Sequence, residues 1–280
     1  MRVRTINFLM LLVIAGACHR ELSSDDPPGT PSSSQAAPTR LDAELVTFSS
    51  GPLTLSGYLF RPTGPGPFPA IVFNHGSEND PGPKRDQARF YVLHGYVLFV
   101  PHRRGQGLST AAGPDINSFD ATAPDFVDAL VTQSDDVMAA VAYVESLPYV
   151  DPFRVATVGC SLGGIEALLA AERGTGLVAA VDFAGAAITW AKNEPLQARM
   201  KLAATRAKVP VLFIQAENDY DTRPSRVLSE EMKRAGKPMR VHVFPPNGET
   251  PREGHGFCLG GRSPAWGDEV LAFLADAMHP

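Results

Sequence analysis

A serine with glycine two residues to either side, Gly159-Cys160-Ser161-Leu162-Gly163, is the chain's sharpest chemical signal. It lies between an apolar run at 154–158 and a helix-patterned run at 162–173. In that strand-turn-helix setting the turn is tight and strained, the hydroxyl is exposed, and the glycines let the backbone pack. Without that setting the pattern would read as a glycine-rich turn with an incidental serine. Cys160 is a rival nucleophile, but the glycine spacing selects Ser161 and turns Cys160 away.

A serine hydroxyl needs a base, and the base needs a carboxylate to hold its tautomer. On strand-turn-helix elbows the order along the chain is nucleophile, acid, histidine. Only His242, His255 and His279 follow Ser161. His242 falls inside a strand pattern and His279 is penultimate, whereas His255 stands in the loop Gly254-His255-Gly256-Phe257. His255 is therefore the expected base. The strand at 209–214 runs into Glu217-Asn218-Asp219-Tyr220-Asp221, and Asp219 is the expected acid, with Asp221 and Glu217 as alternatives. Acyl transfer also needs donors for an oxyanion. The N–H of Leu162 supplies one, and the loop Asn74-His75-Gly76-Ser77-Glu78 supplies the second. Ser77 is the expected donor there, with Gly76 or Glu78 as alternatives. His75 precedes the nucleophile and reads as structural.

These residues need a scaffold, and the hydropathy pattern describes one. Two short alternating runs at 44–49 and 53–60 flank Ser50-Gly51-Pro52 as an antiparallel hairpin. Apolar strands follow at 69–73, 96–100, 154–158, 178–183, 209–214 and 240–244. Helices are expected at 84–94, 162–173, 225–235 and 265–278, and one capped by Ser134 and closed by Pro148. Strands alternating with helices imply an α/β fold, a mostly parallel twisted sheet with helices on both faces. Chemistry then collects at the carboxyl ends of the strands. Residues 107–132 and 184–208 are less regular and read as candidate lids or substrate walls.

The 280 residues carry 25 Lys plus Arg against 30 Asp plus Glu, a net charge of −5 that argues against a nucleic-acid binder. Three cysteines are too few for a disulfide scaffold, and no Cys/His cluster suggests a metal. The N-terminus reads as an address. Arg2 and Arg4 precede the apolar run 8–14, then Ala15-Gly16-Ala17-Cys18. That is a signal peptide over 1–17, and its end resembles a lipoprotein processing site in which Cys18 becomes the acylated first residue. Residues 18–40, rich in Ser and Pro, read as a disordered tether, so the folded domain spans 41–280. Cys160 and Cys258 flank the two residues that must meet. A disulfide between them and two buried free thiols are both open readings.

The chain resembles an α/β-hydrolase of the dienelactone hydrolase-like group, which shades into the prolyl-oligopeptidase-like hydrolases. The resemblance rests on Phe68-Pro69-Ala70-Ile71-Val72-Phe73-Asn74-His75-Gly76, Arg103-Arg104-Gly105-Gln106-Gly107, the elbow at 159–164, residues 216–219 and Gly254-His255-Gly256. It implies a Ser/Cys–Asp–His triad with neither metal nor organic cofactor. Dienelactone hydrolases proper carry cysteine as nucleophile, and this chain carries Ser161. Arg103 and Arg104 either read a substrate carboxylate or form structural ion pairs.

The reading is an exported serine hydrolase acting on small-molecule carboxylic esters, anchored to a membrane surface through Cys18. A Gram-negative source would place it on the periplasmic side of the outer membrane. A peptidase of the prolyl-oligopeptidase type is the alternative enzyme, and a non-catalytic envelope lipoprotein retaining the fold is the alternative of another class.

Overall fold

The computed structural model describes residues 41–259 and 264–278; the expected signal peptide, Cys18, the tether and His279 lie outside them. The chain first forms β1 (Glu44–Ser50) and β2 (Leu53–Phe60), paired antiparallel with Ser50 opposite Leu53. Gly51 takes φ +56° in the two-residue turn between them, a conformation that glycine adopts freely. Next come β3 (Phe68–Asn74), β4 (Val97–His102), β5 (Val150–Cys160), β6 (Ala179–Phe183), β7 (Val211–Ala216) and β8 (Met239–Phe244). The eight strands form one sheet ordered β1-β2-β4-β3-β5-β6-β7-β8. β2 runs antiparallel to β4, and the pairings from β4 through β8 are parallel.

The α-helices among the described residues are seven: α1 (Arg85–Leu93), α2 (Pro124–Glu145), α3 (Leu162–Arg173), α4 (Glu194–Arg206), α5 (Arg223–Arg234), α6 (Pro251–His255) and α7 (Gly267–Met278). Residue parity sorts the central strands into two apolar layers, as the alternation of side chains across a sheet requires. Ala70, Val72, Val97, Phe99, Val211 and Phe213 pack in the layer holding α2, α3, α4 and α5. Ile71, Phe73, Leu98, Val100, Leu212 and Ile214 pack in the layer holding α1 and α7. Because β3 through β8 run the same way, their carboxyl ends gather Ser77, Ser161, Asp219 and His255 along one edge.

Four elements depart from the sequence reading, one of them α6, a helix where a loop is expected around His255. α2 starts at Pro124, ten residues before the expected cap at Ser134. Ser134 is buried mid-helix, and its hydroxyl donates back to the Val131 carbonyl at 2.7 Å. Phe126, Val127 and Leu130 extend the apolar stripe upstream, and proline at the first position suits a helix start. The stretch 184–208 contains α4, capped by Asn193, whose Oδ1 accepts from Leu196 N at 2.8 Å. Strand β5 begins four residues earlier than expected, at Val150.

Candidate active site

Ser161 sits between β5 and α3 with φ 59° and ψ −119°, outside the regions a serine ordinarily occupies. Packing enforces this. A Cβ on Gly159 would run into the Gly163 carbonyl, and one on Gly163 into the Asn74 carbonyl. The Ser161 N–H donates to the Phe183 carbonyl at 2.8 Å, tying the turn to β6. The strain continues next door, where Ala184 and Ala186 also take positive φ, 58° and 64°. Asp182 braces that loop by accepting from Gly185 N at 2.8 Å, and burial raises its carboxyl to about 7.

His255, at the end of α6, places Nε2 2.8 Å from Ser161 Oγ and Nδ1 2.9 Å from Asp219 Oδ1. The Asp219 side chain is fully buried. Of the alternative acids, Asp221 is held by Arg223 in a bidentate pair and Glu217 faces solvent. His242 lies on β8, stacked on Phe244 and 3.7 Å from Glu269, away from Ser161's hydrogen-bonding partners. His75 is buried and bonded to the Gly76 carbonyl at 2.9 Å; desolvation, with help from Arg103, holds it neutral, well below the ordinary histidine range.

Leu162 opens α3, so its N–H has no partner within the helix. Leu162, Ser77 and Ser161 line one cavity of about 240 Å³. Cys160 and Cys258 form a disulfide with Cα atoms 5.9 Å apart, joining the residue before Ser161 to the segment after His255. The two arginines are structural. Arg104 chelates the buried Asp136 carboxylate at 2.9 and 2.6 Å. Arg103 is fully buried, donating to the carbonyls of His75 at 2.9 Å and Gly76 at 3.0 Å and to Gln133 at 3.1 Å.

Two residues escaped the sequence reading. Gln215 donates to Asp219 Oδ2 at 2.8 Å and to the Asp221 carbonyl at 2.9 Å, while its Oε1 accepts from Ser225 at 2.7 Å. A glutamine inside an otherwise apolar strand was its signal, because a buried amide must find partners. Asn218 donates to the carbonyls of Asn247, Gly248 and Thr250, lacing the loop of the acid to the loop of the histidine. Among the described residues no group of three or more His, Cys, Asp or Glu side chains is arranged to hold a metal ion.

Residues 55–265 match the model of the dienelactone hydrolase family. Quorum-quenching protein AidA of Acinetobacter baumannii is 32% identical over 141 residues, covering 49% of this chain and 42% of AidA. Among solved structures, the acylaminoacyl peptidase of Pyrococcus horikoshii aligns with a TM-score of 0.64 at 18% identity, over 84% of this chain and 41% of the peptidase. Dipeptidyl peptidase 4 of Porphyromonas gingivalis aligns with a TM-score of 0.65, also at 18% identity, over 84% of this chain and 35% of its own. The chain thus spans less than half the length of these three proteins, and the likeness to the two peptidases is one of fold. A match over residues 55–265, on a sheet and elbow of this form, makes the chain a member of the dienelactone hydrolase family.

Proposed function

We propose that the protein is a serine hydrolase that cleaves carboxylic esters through an acyl-enzyme. The observation that carries this reading is the hydrogen-bonded chain from Ser161 through His255 to Asp219, with Ser161 on a strained elbow. His255 Nε2 takes the hydroxyl proton as Ser161 Oγ bonds to the ester carbonyl carbon. Asp219 holds Nδ1–H and stabilises the imidazolium. The carbonyl oxygen becomes an oxyanion held by the N–H groups of Leu162 and Ser77. As the tetrahedral carbon expels the alkoxide, the imidazolium protonates it and the alcohol leaves. Water then repeats the sequence: as His255 takes its proton the water oxygen bonds to the acyl carbon, the acyl–serine bond breaks, and the imidazolium returns the proton to Ser161 Oγ as the acid leaves. Nothing in these steps requires a metal or organic cofactor.

The test is hydrolysis of p-nitrophenyl esters by wild type and Ser161→Ala, with amide substrates in parallel. Loss of about 10⁴-fold or more in kcat/KM on esters is expected in the variant. Equal rates in the two proteins would sink the hydrolase reading and favour the binding lipoprotein. Cleavage of amides ahead of esters would move the activity to the peptidase type.

We further propose export and acylation at Cys18, with the protein tethered to an envelope membrane and facing the periplasm where there is one. Two features support this. The run 8–14 followed by Ala15-Gly16-Ala17-Cys18 has the form of a processed leader, and the Cys160–Cys258 bond suits an oxidising compartment. In a bacterial host, the full chain should fractionate with membranes and incorporate labelled palmitate. Cys18→Ser should lose the label, and a variant that kept it would refute acylation at this residue.

A further inference from the structure

The cavity at Ser161 differs from the carboxylate-reading site that the two arginines could have made. It is walled by Ile116, Phe119 and Phe126 from one segment, Leu162 and Ile165 from α3, and Ala187 beside the strained turn after β6. Its polar lining is Ser77, Asn117, Ser161 and Thr189, and no charged side chain among the described residues lines it. The cations near the loop are engaged elsewhere. Arg103 is buried on loop carbonyls, Arg104 on Asp136, and Lys84 bonds Glu78 at 2.7 Å. A substrate carboxylate bound against these walls would find no counter-charge to offset the water it gives up.

The cavity also has a direction. His255 must hand its proton to the leaving oxygen, so the departing alcohol lies on the His255 side. His255, Asp219 and Tyr220 are absent from the cavity wall, whereas both expected oxyanion donors belong to it. The group housed there is the one that stays bonded to the carbonyl carbon after the alcohol leaves. At about 240 Å³ the cavity is smaller than the clefts that hold drug-sized ligands, which suits an acyl chain of medium length over a long one.

We propose that this enzyme selects esters of uncharged, apolar acyl groups of medium length and discriminates against acyl groups that end in a carboxylate. The inference rests on the serine-hydrolase reading above and names its substrate class.

The experiment uses the full-length protein and two substrate series. In the first, straight-chain p-nitrophenyl esters from acetate to tetradecanoate, kcat/KM should climb by about fourfold per methylene, the transfer gain of one buried CH₂. It should peak near octanoate and fall by tetradecanoate. In the second, p-nitrophenyl 5-methylhexanoate is set against mono-p-nitrophenyl glutarate, which has the same shape and carries a carboxylate. The neutral ester should be favoured at least 30-fold. A ratio below 30, or a profile that does not rise from acetate to hexanoate, overturns the proposal. Ala187→Leu narrows the cavity and should cut the octanoate-to-acetate ratio at least tenfold. An unchanged ratio in the folded variant would place the acyl chain elsewhere. Should that variant not fold, the two wild-type series decide alone. Efficient hydrolysis of the hemiglutarate would overturn the acyl preference and leave the hydrolase intact. No turnover of any ester, with Ser161 unlabelled by a fluorophosphonate, would remove both.

Discussion

Arg103 acts on the expected oxyanion site without touching substrate. A trans peptide holds its C=O and N–H on opposite sides, so fixing one aims the other. Arg103 Nη2 takes the carbonyl of Gly76, which turns the next N–H, that of Ser77, the opposite way. The same atom also bonds the His75 carbonyl and Gln106, so one guanidinium nitrogen holds two successive loop carbonyls. Arg103 is thus a positioning residue. Arg103→Met should lower kcat by about 10²-fold, the scale of losing one oxyanion donor, and leave KM within about threefold. A trifluoromethyl ketone, which mimics the tetrahedral state, should weaken in step with kcat/KM. Arg103→Lys, which keeps a donor and its charge, should recover part of both. Unchanged inhibitor affinity in a folded Arg103→Met protein would show that the loop stands without the guanidinium.

Between elements, the Cys160–Cys258 bond closes a sequence separation of 98 residues and joins the Ser161 elbow to the segment that carries His255. One end abuts the elbow, and the other lies three residues past His255, on the turn that follows α6. A disulfide contributes about 2–4 kcal/mol in typical proteins by restricting the unfolded chain, and more as the closed loop lengthens. Cys160→Ala/Cys258→Ala should therefore lower Tm by several degrees, and kcat should fall as the His255 segment loosens. Thermal melts and steady-state rates, each with and without a phosphine reductant, check this. A reductant-insensitive wild type that yields free Cys160 and Cys258 thiols when denatured would show the pair unlinked. Both readings of these cysteines were open in the sequence, since distance between chain segments is not written there.

What the sequence did disclose at this scale had strong local physics behind it. Buried parallel strands read as uninterrupted apolar runs, and the elbow glycines sit where any Cβ would collide. Elements with weak local signals were lost. The buried stripe of α4 is Leu196, Met200, Ala203 and Ala204, interrupted by Arg199 and Lys201, so its amphipathicity is faint. Helix α6 is five residues long, yet its cue was present. Thr250 and Glu253 form a capping box, with Glu253 Oε2 accepting from Thr250 N at 2.9 Å. Gln215 left a cue, a polar side chain in an apolar strand, whereas Asn218 was hidden for another reason: its partners at Asn247, Gly248 and Thr250 lie on a loop that only the fold brings near.

Across the whole molecule, the buried charges behind the site link stability to pH. Glu166, on α3, is fully buried with neither carboxylate oxygen bonded to another described residue, and burial lifts it to about 8 despite the attraction of Arg103. Asp182 is lifted to about 7 by the same cause. In the unfolded chain these groups would titrate near 4.5 and 3.8. Between those values and their folded ones, the native state holds protons that the unfolded state releases, so stability falls as pH rises. His75 and His102 act oppositely, since burial lowers both, and an unfolded histidine binds protons more readily below about 6.5. Their contribution is largely complete above that value, which leaves pH 6.5 to 8.5 as the window governed by the carboxyls. Carboxyls held low by hydrogen bonds and ion pairs, such as Glu78, Asp221 and Glu253, are ionised in both states there and cancel. Thermal melts should accordingly show Tm falling across this window. Glu166→Gln, which stays neutral at every pH, should reduce the fall, and Asp182→Asn should reduce its lower half. A Glu166→Gln protein with the wild-type slope would mean that Glu166 is ionised in the fold, its charge balanced by the Arg103 guanidinium that also holds the Ser77 loop.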